Sequence, residues 1–195
     1  MPFTKFLALG IVPALLLSAC KEKPSANGSG GPASSNAAAS NSAMASSTRV
    51  SAVSPQSPAD YLAQAGAGDL FEIESSKAVL AKTQNPMVRD FAQMMIKAHQ
   101  GSTAKLEDAA AQAKLPVRTP VLMPDQQSML DDVIAASADS VDAKYIANQK
   151  IAHQAALSLH QPYAATGDIA PLKLAASKIV PVVRNHIEML EKLGT

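Results

Sequence analysis

Apolar side chains recur every three or four positions from about residue 58 onward, which is the pattern of amphipathic α-helices. Proline, glycine and capping residues divide this region into separate elements. The pattern predicts four long helices, over about residues 58–82, 86–114, 140–165 and 168–193. It also predicts a short helix over residues 124–136, in the connection between the second and third long helices.

The connections between these helices indicate how they pack. The first two and the last two long helices are each joined by a tight turn, near residues 84 and 168, whereas the middle connection is long. No segment alternates β-branched and polar residues as a half-buried strand would. We therefore expect an all-α domain over residues 58–195, folded as a four-helix bundle. A crossover connection carrying the short helix would join helices 2 and 3.

The first 19 residues have the pattern of a secretory signal peptide: a basic start, a short apolar core and small residues before a cleavage point. The apolar run is about a dozen residues long, whereas a membrane span needs about 20. It ends at Leu17-Ser18-Ala19-Cys20, which resembles a bacterial lipobox, where the signal is removed and the Cys is lipidated. The alternative is an ordinary signal with a chance Cys. We expect lipidation at Cys20, because it is the only Cys in the chain.

A lipid on Cys20 would make the cell envelope the compartment of the protein and a membrane its partner, since each buried CH₂ contributes about 0.8 kcal/mol. Lys21 rather than Asp follows the Cys, which favours an outer-membrane lipoprotein facing the periplasm. Residues 20–57 combine the lipidated Cys with a linker rich in Ser, Ala, Gly and Asn. Its apolar content is too low for folding, so it should be a flexible tether that reaches about 30–35 Å.

Charge and residue content argue against several functional classes. The chain has 17 basic and 16 acidic side chains, and the helical region has no basic stripe, so nucleic-acid binding is not expected. Cleavage and lipidation at Cys20 would leave no free thiol for a disulfide or a Cys-based metal site. No nucleophile elbow or Ser-His-Asp arrangement is present, so no motif supports an enzymatic reaction.

Three histidines give the sharpest chemical hypothesis. His99 and His186 lie on the apolar stripes of helices 2 and 4, and His153 borders the stripe of helix 3. At a rise of about 1.5 Å per residue from the turns, these imidazoles and Glu72 of helix 1 all lie near the middle of the bundle. Three imidazoles and one carboxylate would suit Zn²⁺, Fe²⁺ or Cu²⁺.

Other interpretations of these residues stay open. A His on an apolar face is more often a hydrogen-bonded core residue than a ligand, so the three imidazoles could simply pack. Met95 and Met189 share helix faces with two of them, and their sulfur would favour copper, although Met also fills gaps in helical cores. A ferritin-type di-iron centre is not expected, because it needs Glu three residues before His on two helices. The residues at those positions are Ile96, Lys150 and Val183.

A family resemblance rests on the order and spacing of residues spread over the helical region. These are Ala65-Gly66, Phe71-Glu72-Ile73-Glu74, Phe91-Ala92-Gln93-Met94-Met95, His99, Asp142, Tyr145, His153, Pro181 and His186. Together they resemble the bacterial domain-of-unknown-function family 4142, over most of Pro58–Leu193. The resemblance implies a ferritin-like bundle of the cell envelope, and it implies no reaction. Ala98 replaces an Asp that is usual beside the helix 2 His, and Val141 replaces a usual Phe.

Two classes of function follow from the sequence. The first is a membrane-tethered envelope lipoprotein whose helical domain binds a partner or has a structural role. The second is a metal-binding protein, active in metal handling or stress protection, that uses Glu72, His99, His153 and His186 as its site.

Overall fold

The computed structural model describes residues 56–194. The predicted signal peptide, Cys20 and nearly all of the predicted linker lie outside the described residues. Within them the chain forms five α-helices and no strand, which confirms the all-α prediction. The helices are α1 (Pro58–Leu80), α2 (Pro86–Gln112), α3 (Pro124–Ala135), α4 (Val141–Thr166) and α5 (Ala170–Leu193).

Side-chain caps begin α1 and α2, whereas the cap residues of α3, α4 and α5 make no side-chain cap hydrogen bond. The Ser57 side chain accepts a hydrogen bond from the backbone of Asp60, and Asn85 caps α2 in the same way. Ser140 occupies the cap position of α4, and its side chain caps no backbone group. Ile169 occupies the cap position of α5, and it offers no side-chain acceptor.

The four long helices pack in two hairpins that contact each other. Helix α1 packs against α2, and α4 packs against α5. Contacts of α1 with α4 and of α2 with α5 join the two hairpins, while α3 lies against α1 and α4. No helix within residues 56–194 is long and apolar enough to cross a membrane.

Two apolar clusters fill the interior, and a polar layer separates them along every long helix. The first cluster includes Tyr61, Leu106, Leu172 and Ile179, and the second includes Val79, Phe91, Tyr145 and Leu190. Buried polar residues occupy the intervening turns of all four helices. They are Asp69, Glu72, Ser75, Ser76, His99, Ser102, Asn148, Gln149, His153 and His186. Burying a polar group without a partner costs free energy, so this polar layer is the candidate for a functional site.

Two glycines of α1 have different roles in this packing. A Cβ at Gly66 would lie 3.1 Å from the side chain of Pro120, so glycine lets the connection after α2 approach the helix closely. A Cβ at Gly68 would meet no atom within 4 Å, so this glycine faces open space.

Candidate metal centre

The three predicted histidines converge in the polar layer. His99 of α2, His153 of α4 and His186 of α5 each offer one nitrogen, and these nitrogens all lie within 4.8 Å of one another. Their ring centroids are 5.3–5.8 Å apart. The side chains are buried, with relative exposures of 6%, 0% and 3%. The structure therefore brings the three predicted histidines together, as the sequence indicated.

A carboxylate fixes the orientation of His99. Its Nδ1 donates to Asp69 Oδ1 at 2.7 Å, and Thr103 Oγ1 donates to the other Asp69 oxygen at 3.0 Å. Burial alone would lower the pKa of His99, but the hydrogen bond with Asp69 and the charge of Glu72 raise it above its usual value. His99 Nε2 is buried and has no hydrogen-bond partner among the described residues. A carboxylate on one nitrogen and an open second nitrogen is the arrangement of many metal-ligating histidines.

Backbone geometry fixes the orientation of His153. Its Nδ1 lies 2.8 Å from the Gln149 carbonyl oxygen, which can only accept, so this nitrogen carries the proton. The lone pair is therefore on Nε2, which lies 3.2 Å from His186 Nδ1 and accepts from it. Burial, with a smaller effect of His99, lowers the pKa of His153 to about 3 and that of His186 to about 4. Both imidazoles are consequently neutral at pH 7, which is the form that binds metals.

Glu72 lies beside the three histidines without joining their nitrogen group. Its Oε1 is 3.3 Å from Nδ1 of His153, the nitrogen that donates to the backbone, and its Oε2 has no hydrogen-bond partner in residues 56–194. Burial raises the pKa of Glu72 to about 7, against the opposing effects of His99 and Gln149. Glu72, a predicted ligand, therefore contacts the Nδ1 side of the His153 ring, whereas the Nε2 side faces His186.

The sequence did not identify Asp69 as the hydrogen-bond partner of His99. It is on the apolar stripe of helix 1, one turn before Glu72, and only 5% of it is exposed. A carboxylate on the buried stripe of helix 1 could have indicated a partner for a histidine. However, Asp69 and Glu72 are one turn apart and share a helix face. Spacing alone does not distinguish which of the two reaches which histidine.

The two methionines proposed for copper have packing roles. Met95 is fully buried in the second apolar cluster, and Met189 packs against the same cluster. The Met189 sulfur accepts a long hydrogen bond of 3.6 Å from Asn185. These contacts favour the interpretation that the thioethers fill gaps in the core.

A cavity of about 460 Å³ opens beside the histidines, and all five helices contribute to its lining. His99, His186, Asp69 and Glu72 line it together with many small apolar residues. His160 lines the same cavity, outside the group of three. Its Nδ1 lies 2.9 Å from Tyr61 Oη, and burial lowers its pKa to about 4.

Comparison with known proteins identifies the family of this chain and one protein of similar fold. A family model described as "Domain of unknown function (DUF4142)" matches residues 39–193. No curated protein matches the chain. The crystal structure of a DUF305 fragment from Deinococcus radiodurans matches with a TM-score of 0.62 and 16% sequence identity. The match covers 72% of this chain and 98% of that fragment, and at this identity it shows a shared fold alone.

Proposed function

This chain belongs to the DUF4142 family, and we propose that it binds one divalent transition-metal ion through His99, His153 and His186. The family has no known function, so the proposal rests on the site of this chain. One observation carries this proposal. Three buried imidazole nitrogens from three helices lie within 4.8 Å of one another, and one of them has no partner among the described residues.

Only a small contraction separates this arrangement from a metal centre. Nitrogen ligands lie about 2.0–2.1 Å from a tetrahedral Zn²⁺, which puts them about 3.4 Å from each other. His153 Nε2 and His186 Nδ1 are already 3.2 Å apart. Metal binding would move the Nδ1 proton of His186 to its Nε2, because only a nitrogen with a free lone pair can hold the ion. The Asp69 contact and the Gln149 carbonyl hold two of the rings by their outer nitrogens, so the inner nitrogens are preoriented.

The donor set indicates which ions the site accepts. Three neutral imidazoles suit Zn²⁺, Cu²⁺ and Fe²⁺, and three protein ligands leave one coordination position open. Glu72 acts from behind His153, where its charge favours a cation nearby. A proton on His99 competes with the ion, so affinity should increase as the pH rises.

The fold and location that we propose agree with this role. The two hairpins and the α3 connection support a ferritin-like four-helix bundle with a crossover between α2 and α4. Residues 58–195 form this domain, residues 1–19 are a signal peptide, and residues 20–57 tether the domain to the outer membrane through lipid on Cys20. The protein would then hold metal in the periplasm, for metal handling or for protection against metal stress.

Thermal unfolding with and without metal tests the proposal. The full chain carries Cys20→Ser, which removes the single thiol, and no His tag. Zn²⁺ at a hundred times its dissociation constant should stabilise the protein by about 2.7 kcal/mol. His99→Ala and His186→Ala should each abolish this gain.

His160→Ala is the matched control, because His160 is a buried histidine of the same cavity but lies outside the group of three. It should lower stability yet leave the metal-dependent gain intact. The proposal is wrong if Zn²⁺, Cu²⁺ and Fe²⁺ all leave the unaltered chain unchanged. It is equally wrong if the gain survives in both His→Ala variants, and the histidines then have a packing role only.

A further inference from the structure

The cavity beside the histidines has the properties of a ligand site. We infer that it binds a small monocarboxylate, whose carboxylate takes the open position on the metal and whose apolar body fills the cavity. This inference rests on the metal centre proposed above and names the molecule that such a centre would bind.

The metal would face the cavity directly. His99 and His186 belong both to the nitrogen group and to the cavity lining, so an ion held by them borders the open space. A centre with three protein ligands keeps a fourth position for water or an added ligand. The volume of about 460 Å³ lies within the range of about 300–1,000 Å³ that is usual for small-molecule pockets.

A buried hydroxyl indicates that the ligand head accepts a hydrogen bond. Ser102 is on α2, one turn after His99, and lines the same cavity. Its Oγ is buried and has no hydrogen-bond partner within the part of the chain that the structure describes. Unpaired buried polar atoms are uncommon in native proteins, so this hydroxyl lacks a partner that the functional state should supply. A carboxylate has two oxygens, and one can bind the metal while the other accepts from Ser102.

Charge in the lining also favours an anion. Lys105 and Lys178 are exposed residues at the edge of the cavity. With a divalent ion bound, these positive charges outweigh the three carboxylates of the lining, which belong to Asp69, Glu72 and Asp125. Both Asp69 oxygens are already occupied by His99 and Thr103.

The remainder of the lining indicates an apolar ligand body. Most of these residues have small or branched apolar side chains, and Gly68 faces open space. They include Ala98, Ala152, Ala156, Ile179 and Val183. Water gains few hydrogen bonds from such walls, so an apolar group that displaces it is favoured.

Two carboxylates of different length test the inference on the full chain carrying Cys20→Ser. The protein is loaded with Co²⁺, whose visible spectrum reports changes in coordination, and is titrated with octanoate or acetate. Octanoate should change the spectrum and should bind at least tenfold more tightly than acetate. This comparison uses the unaltered cavity and so does not depend on any cavity variant folding.

Cavity variants then locate the binding. Gly68→Leu should weaken octanoate binding at least tenfold, while the affinities for Co²⁺ and for acetate stay within twofold. Gly68 lines the cavity, and a Cβ added there would meet no atom within 4 Å, so the larger side chain takes up cavity space. Ser102→Ala should weaken both carboxylates at least threefold. Gly101→Leu is the control, since Gly101 does not line the cavity and its nearest neighbour is the flexible end of Lys105.

The outcomes separate the two proposals. A chain that binds neither Co²⁺ nor any of Zn²⁺, Cu²⁺ and Fe²⁺ overturns the metal centre and the ligand inference together. A chain that binds Co²⁺ but shows no spectral change with octanoate, or binds acetate as tightly, overturns the ligand inference alone. Equal loss of octanoate binding in Gly68→Leu and Gly101→Leu also overturns it, because the effect would then not arise in the cavity.

Discussion

Replacing the buried carboxyl of Glu72 by an amide should stabilise the metal-free protein at neutral and alkaline pH. Only 3% of Glu72 is exposed, and burial raises its pKa from 4.5 to about 7. Glu72→Gln keeps the size and one acceptor oxygen but cannot ionise.

The magnitude follows from the change in pKa. A carboxyl whose pKa is higher in the folded state than in the unfolded state holds its proton more tightly when folded, so stability falls as the pH rises between the two values. The rise from 4.5 to about 7 corresponds to about 3 kcal/mol, at about 1.4 kcal/mol per pH unit. The stability difference between variant and parent should therefore be near zero below pH 4.5. It should grow between pH 4.5 and 7, and approach about 3 kcal/mol above pH 7. Loss of the favourable interaction of Glu72 with His99 makes this an upper value.

The assay is urea unfolding of the full chain in the presence of a chelator, at several values between pH 4.5 and 8.5. Glu74→Gln is the matched control, because Glu74 lies on the same helix but pairs with Lys77 on the surface, with its side chain 40% exposed. Surface pairs contribute about 0–1 kcal/mol, so this variant should shift stability little.

A pH-independent difference between Glu72→Gln and the parent would refute the reasoning, because the effect would then not come from ionisation. A variant that is less stable than the parent at pH 8 would refute it as well. Adding Zn²⁺ should reduce the advantage of the variant, since a bound cation favours the ionised carboxylate.

Three further predictions concern other parts of the chain. Tyr61→Phe should cost about 1–3 kcal/mol in unfolding free energy, measured by urea unfolding at pH 7, because it leaves the buried Nδ1 of His160 without its partner at 2.9 Å; no measurable loss would mean that water replaces the hydroxyl. Cys20→Ser should release the protein from the membrane fraction, and a variant that still sediments with membranes after salt and carbonate washes would contradict lipid anchoring. A chain starting at Pro58 should keep the melting temperature of the soluble full-length form, whereas a drop of several degrees would show that residues 21–57 dock on the helical domain.

Local chemistry explains how much of the fold could be predicted from the sequence. The predicted starts near residues 58 and 86 agree with α1 and α2, which Ser57 and Asn85 cap, because a cap needs only neighbouring residues. The convergence of the histidines could also be predicted, since each position along a helix fixes its height in the domain. The start of α5 was harder to assign, because Ile169 offers no capping side chain.

Other features depend on packing in three dimensions. The pairing of His99 with Asp69 rather than Glu72 is set by how α1 and α2 are rotated against each other. Gly68 and several alanines line the cavity, and their small side chains leave space between the helices. That space depends on several helices together and cannot be read from the sequence of one. Sequence spacing could therefore predict which residues share a level, but not which atoms touch.

An anomalous diffraction map of crystals of the full chain grown with Zn²⁺ tests the central claim most directly. The account predicts one strong peak in the polar layer, about 2.0–2.2 Å from one nitrogen each of His99, His153 and His186. The Asp69 and Gln149 contacts to the outer nitrogens should remain in place. A map with zinc only at surface residues, and with His186 still hydrogen-bonded to His153, would contradict the claim that this layer is a metal centre.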